Sequence, residues 1–421
     1  MKPRRRNRLG IVVGGGPAPG INGVISAATI EACERAWTVV GILDGFQHLM
    51  KGDVTQTVDL DIMAVSRIHL TGGSVLRTSR ANPTKRPDDL KRVVRSLSRL
   101  NITHLLTIGG DDTCLTASRI AAAAPGLRVA HVPKTIDNDV PLPEGVDTFG
   151  FQTARDVATT IVANLMEDAK TTNRWYVVEA MGRHAGHLAL GMGKSAGATL
   201  TIIPEEFGDR PVTLRHILDI LFTSVLKRRV RGKKHGVAVL AEGLVERLGK
   251  RDLATVGVPP ADEFGHFRLA EADLVGTLRD RLSERMKQCG WGSSVVAKVV
   301  GYELRSAPPI PFDCEYVRDL GYAAIKLLDD RQPAKTAGNG AIVCIQGGRL
   351  RPIPFCDAIG KDGRVAVRMV SIDTESYAVA RSYMIRLEKA DLAGKTTLPK
   401  LAGACGMSPA GFVKRFGYLV R

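Results

Sequence analysis

The sequence predicts an α/β chain of two or three lobes that carries its ligands at the carboxyl ends of parallel strands. Three observations support this. Short apolar runs recur along the chain, each breaking into glycine, proline or carboxylates and then into a helical pattern. Two such runs, Leu105-Leu-Thr-Ile-Gly-Gly-Asp-Asp-Thr113 and His131-Val-Pro-Lys-Thr-Ile-Asp-Asn-Asp139, place four carboxylates just past strand ends. The length, 421 residues, exceeds most small single domains and supplies material for a large core.

In order, residues 9 to 13 read as the first strand, followed by Gly14-Gly-Gly-Pro-Ala-Pro-Gly20 and a helix from Ile21 to Ala36. A strand, a glycine loop and a helix start offer backbone N–H groups to phosphate. No Gly-Lys-Ser/Thr closes this loop, so it is not a P-loop. Thr38 to Leu43 reads as the second strand. His69 to Arg80 is a glycine and arginine segment, and Arg77, Arg80 and the nearby Lys85 are phosphate-clamp candidates, Arg80 foremost because a planar fork suits phosphate oxygens. Residues 87 to 100 carry apolar positions at helical spacing.

The carboxylates Asp111, Asp112, Asp137 and Asp139 are too many for one dry pocket unless cations offset their repulsion. Mg²⁺ with its hard oxygen ligands is the natural counter-ion, and Lys134 supplies a second charge. Gly150-Phe-Gln-Thr-Ala154 then leads into a helix to about Asp168. Trp175 to Glu179 reads as a strand ending in Ala180-Met-Gly-Arg-His-Ala-Gly-His187. His184 and His187 have metal-ligand spacing but no evident third ligand. Further strands are expected at 198 to 204, at 235 to 240 with Glu242 just beyond, and within 293 to 305, where the run spills into Tyr302 and Arg305. A helix is expected at 213 to 229. Residues 375 to 421 read as helical and basic, a covering element.

Composition bounds the chemistry. No run of eighteen apolar residues is present, so no transmembrane helix is expected. The basic residues 1 to 8 lead into a short first strand and not a secretory segment. Seven scattered cysteines, with no Cys-x-x-Cys pair, fit reduced cytosolic thiols. The net charge of +16 suits either a nucleic-acid face or a surface that attracts anionic phosphates. Aromatics are only 5% of residues and do not interleave with the basic runs, which disfavours base stacking.

Six segments carry a resemblance: Gly15-Gly-Pro-Ala-Pro-Gly20, Gly109-Gly-Asp-Asp-Thr113, Pro133-Lys-Thr-Ile-Asp-Asn-Asp139, Gly150-Phe-Gln-Thr-Ala154, Glu179-Ala-Met-Gly-Arg183 and Gly301-Tyr-Glu-Leu-Arg305. In type and order they resemble the motif series of the phosphofructokinase family. The resemblance implies two Rossmann-like lobes with mostly parallel sheets and a helical C-terminal extension. The donor lobe would span 9–150 and the sugar-phosphate lobe 151–315, with 316–421 returning to cover them. It implies phosphoryl transfer to the 1-hydroxyl of fructose 6-phosphate, with Asp137 as proton acceptor and Asp111 holding Mg²⁺. Thr135 and Ile136, with Asp137, would line the sugar, Met181, Gly182 and Arg183 would contact it, and Glu242 would bind its hydroxyls. In the run Tyr302-Glu303-Leu304-Arg305, Tyr302 and Arg305 would hold its 6-phosphate. Arg174 resembles an arginine that reaches a neighbouring subunit's sugar, implying a homodimer or homotetramer in the cytoplasm, with no nucleic acid or membrane as partner.

Asp112 and Lys134 resemble the pyrophosphate-dependent branch, where ATP-using members are similar to Gly-Gly-Asp-Gly at the first loop. A carboxylate in place of glycine repels an α-phosphate and leaves room for two phosphates, and Lys134 neutralises the leaving phosphate. Gly16, Arg80, Asp112 and Lys134 would form the diphosphate site. An ATP-dependent enzyme is the alternative, and a polyanion-binding protein without catalysis the remote one. Arg77 stands where the family usually has glycine, and Ser306-Ala307 stands where it has Gly-Gly. Lys298 is the candidate substitute for a second subunit-crossing arginine. Sedoheptulose 7-phosphate is a plausible second acceptor.

Overall fold

The computed structural model describes residues 7–208, 210–258, 272–292, 294–330 and 339–420. The basic leader of residues 1–6 and Ser293 lie outside the described residues. The chain divides into two compact units, one made of residues up to Ala154 with Tyr302–Arg368, the other of Arg155–Gly301 with the residues from Met369 on. The chain thus re-enters the first unit at Tyr302, not at 315, and the C-terminal region is shared out at Arg368.

In chain order the strands are β1 (Arg8–Val13), β2 (Thr38–Ile42), β3 (Thr57–Leu60), β4 (His104–Gly109), β5 (Arg128–Pro133), β6 (Trp175–Ala180), β7 (Leu200–Ile202), β8 (Gly236–Ala241), β9 (Val295–Val300), β10 (Gly340–Ile342), β11 (Ile345–Gln346), β12 (Arg349–Leu350) and β13 (Ile353–Pro354). The first unit holds a seven-stranded sheet in the order β13-β10-β5-β4-β1-β2-β3. Its inner pairs are parallel, and the edge strands β3 and β13 run antiparallel. Register fixes the site. Val13 of β1 faces Ile108 of β4, and Gly109 of β4 faces Pro133 of β5, so three strands end level with one another.

Both faces of this sheet are covered. Leu9, Ile11 and Val13 point into one apolar cluster and Val12 into the other, the period-2 alternation of a strand. The first face is closed by the helices Ile21–Glu34 and Pro311–Asp329. They approach so closely that a Cβ on Gly321 would stand 2.7 Å from the Ala27 Cβ. From the second of these helices, buried Asp313 accepts hydrogen bonds from the N–H groups of Gly150 (2.9 Å) and Thr153 (2.8 Å). These are orphan donors at the start of the helix Phe151–Thr172, so a carboxylate remote in sequence caps it.

The second unit holds four parallel strands in the order β7-β8-β6-β9. Ala180 of β6 faces both Ala241 of β8 and Val300 of β9, so Met181, Glu242 and Gly301 leave their strands side by side. The C-terminal helices belong to this unit's core. Phe412 and Phe416 of the helix Pro409–Phe416 are fully buried, Phe416 stacking on Phe222 at 5.9 Å. Tyr418 donates to the buried Asp219 carboxylate at 2.7 Å, and Arg285 and Arg415 pair with that same carboxylate. Among the described residues, no helix is long and apolar enough to cross a membrane.

Candidate active site

In the first unit the level strand ends gather the glycine loop, the first pair of carboxylates and Lys134. After β1, the Gly14 N–H donates to the Ile108 carbonyl (2.9 Å) and the Gly15 N–H to the Ser79 carbonyl (2.9 Å). Gly15 has φ +83°, which L side chains rarely adopt, and a Cβ on Gly14 would stand 2.4 Å from the Thr113 hydroxyl. The bridge between Gly14 and Ser79 brings the backbone of exposed Arg80 beside this loop. The helix that follows is capped by Gly20, left-handed at φ +97°, without a side-chain hydrogen bond, and its first turn is buried.

After β4, Asp111 and Asp112 already lie in the first turn of the helix Asp111–Ala123, where carboxylates complement the helix dipole. Both are exposed. Asn82 donates to the Asp112 carboxylate at 3.0 Å.

Lys134, at the end of β5, is buried, and its ammonium donates to the Gly16 carbonyl. Burial pushes its pKa down to about 8 and the Arg305 guanidinium pushes the same way, against the pull of Asp137, Asp111 and Asp139. Beyond it, the Asp137 N–H donates to the Thr135 hydroxyl (3.0 Å), and Thr148 donates to the Thr135 carbonyl (2.8 Å). Ile136 is buried between them in sequence.

The Tyr302–Leu304 segment is a single 3₁₀ turn with Tyr302 and Glu303 exposed and Leu304 buried. The Arg305 guanidinium lies 4.9 Å from the centre of the Tyr302 ring. A Cβ on Gly16 would come within 3.5 Å of the same guanidinium. The Arg305 guanidinium thus lies beside the glycine loop, near enough to Lys134 for its charge to be felt there. This end of the unit brings the Lys134 ammonium and the Arg305 guanidinium to the glycine loop, with the exposed Asp111 and Asp112 at the neighbouring strand end.

In the second unit, Glu242 accepts from the Gly182 N–H at 3.0 Å, and the Gly243 N–H donates to the Gly182 carbonyl at 3.1 Å. Gly182 has φ +142°. Arg183 is exposed, with its Nε 3.5 Å from Glu246, and His184 Nδ1 lies 2.9 Å from the other oxygen of Glu246. Burial, reinforced by the Glu242 charge and then Asp273, pushes the Glu179 carboxyl up to about 7. Arg174 stands at the opposite end of β6, its Nε 3.8 Å from Asp168. Six strand residues, at roughly 3.3 Å each, separate it from Met181, so these two residues of one chain cannot grip one sugar.

Among the described residues, no three His, Cys, Asp or Glu side chains come together as a metal cage. That leaves His184 and His187 without the third ligand a zinc site needs.

Several site residues escaped sequence reasoning. Asn138, between the two aspartates, is buried with φ +57°, and its side chain donates to Asp147 at 2.7 Å. Its signal was available, because Asn tolerates the left-handed region better than most residues. Asn82 and Glu246, which orient Asp112 and Arg183, had no comparable mark. Arg368, which grips the Asn138 turn from far along the chain, had none either.

The family description Phosphofructokinase matches residues 8–328. A protein of Thermotoga maritima named pyrophosphate--fructose 6-phosphate 1-phosphotransferase is 51% identical over 415 residues, covering 97% of this chain and 98% of its own. One of the same name from Naegleria fowleri is 47% identical over 432 residues, covering 100% of this chain and 98% of its own. The crystal structure of pyrophosphate-dependent phosphofructokinase from Marinobacter aquaeolei superposes with a TM-score of 0.64 at 18% identity, covering 90% of this chain and 92% of that one, a likeness of fold. Motifs, strand topology and near full-length relatives agree, and the chain belongs to the phosphofructokinase family.

Proposed function

We propose that the chain catalyses Mg²⁺-dependent, reversible transfer of a phosphoryl group from pyrophosphate to the 1-hydroxyl of fructose 6-phosphate, giving fructose 1,6-bisphosphate and phosphate. The observation that carries the choice of donor is the pair Asp112 and Lys134. The first is a carboxylate in the opening turn of a helix where a nucleotide would pass, and the second a buried ammonium tied to the glycine loop. The names of the relatives at 51% and 47% identity support the same donor.

In this reading Gly16, Arg80 and Lys134 bind the diphosphate, and Asp112 excludes a longer polyphosphate. Lys134 steadies the charge that develops on the leaving phosphate. Asp137 takes the proton of the acceptor hydroxyl. Thr135, Ile136, Met181, Gly182, Arg183, Glu242 and the run Tyr302-Glu303-Leu304-Arg305 hold the sugar phosphate. Asp111, an exposed carboxylate of the hard-oxygen kind, would hold Mg²⁺, which when bound supplies charge neutralisation to the diphosphate. Arg174 completes a neighbouring subunit's sugar site in a cytoplasmic homodimer or homotetramer.

The test offers fructose 6-phosphate and Mg²⁺ with pyrophosphate or ATP in parallel. Fructose 1,6-bisphosphate from pyrophosphate alone is expected, and Asp112→Gly combined with Lys134→Gly should abolish that preference. Product from ATP alone would overturn the donor assignment, and pyrophosphate use undiminished in the double variant would overturn its explanation.

A further inference from the structure

Asp137 and Asp139 flank a residue whose backbone is left-handed and whose side chain is buried, an arrangement that persists only where surrounding groups fix it. The groups that fix Asn138 come from both ends of the first unit. Its amide oxygen accepts from the Thr148 N–H at 3.0 Å, and its amide nitrogen donates to Asp147 at 2.7 Å. Gln152 donates to the other oxygen of Asp147. The remaining grip belongs to Arg368. Its N–H donates to the Asp139 carbonyl (2.8 Å), its Nε to the Asn138 carbonyl (3.1 Å) and its Nη1 to the Val146 carbonyl (2.6 Å), while Nη2 donates to the Asn138 side-chain oxygen. A half-buried guanidinium directed at two backbone carbonyls and an amide is a clamp on loop shape, and it brackets the turn that carries Asp137.

We infer that Arg368 is a positioning residue for phosphoryl transfer: through Asn138 it sets the direction in which the Asp137 carboxylate is presented to the acceptor hydroxyl. The inference rests on the reading of Asp137 as the proton acceptor. It follows from donor geometry, since a planar fork holds these acceptors at once and the point charge of lysine does not. Loss of the fork lets the turn relax, and a displacement of about 1 Å at a reacting group costs on the order of 10²-fold in rate. Neither substrate need bind less well, because the clamp touches the loop's backbone and not a ligand-binding side chain.

The experiment is a double-mutant cycle between Arg368→Lys and Asp137→Ser, with kcat and both KM values measured, and thermal unfolding recorded for each variant. Expected is a loss of kcat of roughly 10- to 100-fold in Arg368→Lys, with KM for fructose 6-phosphate and pyrophosphate within about twofold. No further loss is expected when the change is added to Asp137→Ser. Equal loss in both backgrounds, or a loss confined to KM, overturns the positioning role while leaving Asp137 as the base. Near-normal turnover of Asp137→Ser alone rejects the base, and the inference falls with it. Asn138→Ala, which removes the amide Arg368 grips, is carried through the same cycle and replaces Arg368→Lys if that variant does not fold; its expected and overturning results are the same.

Discussion

The Lys134 ammonium donates to the carbonyl of Gly16, which joins the end of β5 to the glycine loop after β1 through a buried charge. A lysine held this way is useful to an anion only while protonated, and its pKa lies near about 8 in the free protein. Below that value the cation is present, and above it the cation is lost. We therefore expect kcat/KM for pyrophosphate to fall as pH rises through about 8. In Lys134→Gln the high-pH limb should vanish and the value should drop by on the order of 10²-fold. A limb that survives the substitution unchanged assigns it to another group.

Asp137→Ser should lower kcat by roughly 10²- to 10⁴-fold while sparing binding of the sugar phosphate. Direct titration of fructose 6-phosphate into the variant, set beside steady-state rates, checks both halves of this statement.

Glu179 gives a stability test with a definite sign. Its carboxyl is raised to about 7 by burial and by Glu242, so between its ordinary value of 4.5 and about 7 the native state holds a proton that the unfolded state has released. Stability falls as pH rises through that window and levels off above it. Glu179→Gln removes the dependence. Urea unfolding at pH 5 and pH 8 should show the variant gaining on the parent at the higher pH, by on the order of 1 kcal/mol. An equal difference at both pH values contradicts the assignment.

Asp44 and Arg77 both have left-handed backbones, φ +56° each, and their side chains meet at 3.1 Å. The conformation costs a non-glycine residue of order 1 kcal/mol, and the exposed ion pair returns about 0–1 kcal/mol. Arg77→Gly should be neutral to within about 1 kcal/mol, as relief of strain offsets the lost pair and the freer unfolded chain. Arg77→Val, β-branched and unpaired, should destabilise by about 1–2 kcal/mol. Denaturant midpoints for the two variants decide it, and equal effects would show that backbone conformation is not what limits this position.

Phe412 is fully buried in the second unit's apolar cluster, and Phe412→Ala should cost about 3–5 kcal/mol in unfolding free energy. A loss below about 1 kcal/mol would mean that the C-terminal helices merely rest on the unit.

The strand ends could be read from the sequence because each buried parallel strand is a continuous apolar run that stops where glycine or a charge begins. Residues 9 to 13 and 175 to 179 came within a residue or two of β1 and β6. Asp111 and Asp112 looked like loop because Gly-Gly precedes them, yet their charge favours a helix start. β10 and β13, at three and two residues, are too short for any periodicity to show. Phe412 and Phe416 are four apart, the spacing of one helical face, but their basic neighbours suggested a surface cover. Arg368 and Asn138 are joined only by the fold, since nothing local marks an arginine whose partners lie 230 residues upstream.

The order in which the chain leaves the ribosome gives the discontinuous first unit a further meaning. The strand that pairs with the outer edge of β5, and the carboxylate that caps the helix Phe151–Thr172, are both encoded after Gly301. A nascent chain ending at that glycine carries the glycine loop and the strand-end aspartates on a sheet with an open edge and an uncapped helix, a state prone to pairing with other strands. The amino-terminal half is made first and completed late. Chains arrested at residue 301 are expected to be cut by protease within residues 1–154, and protection there should appear only once Arg368 has emerged.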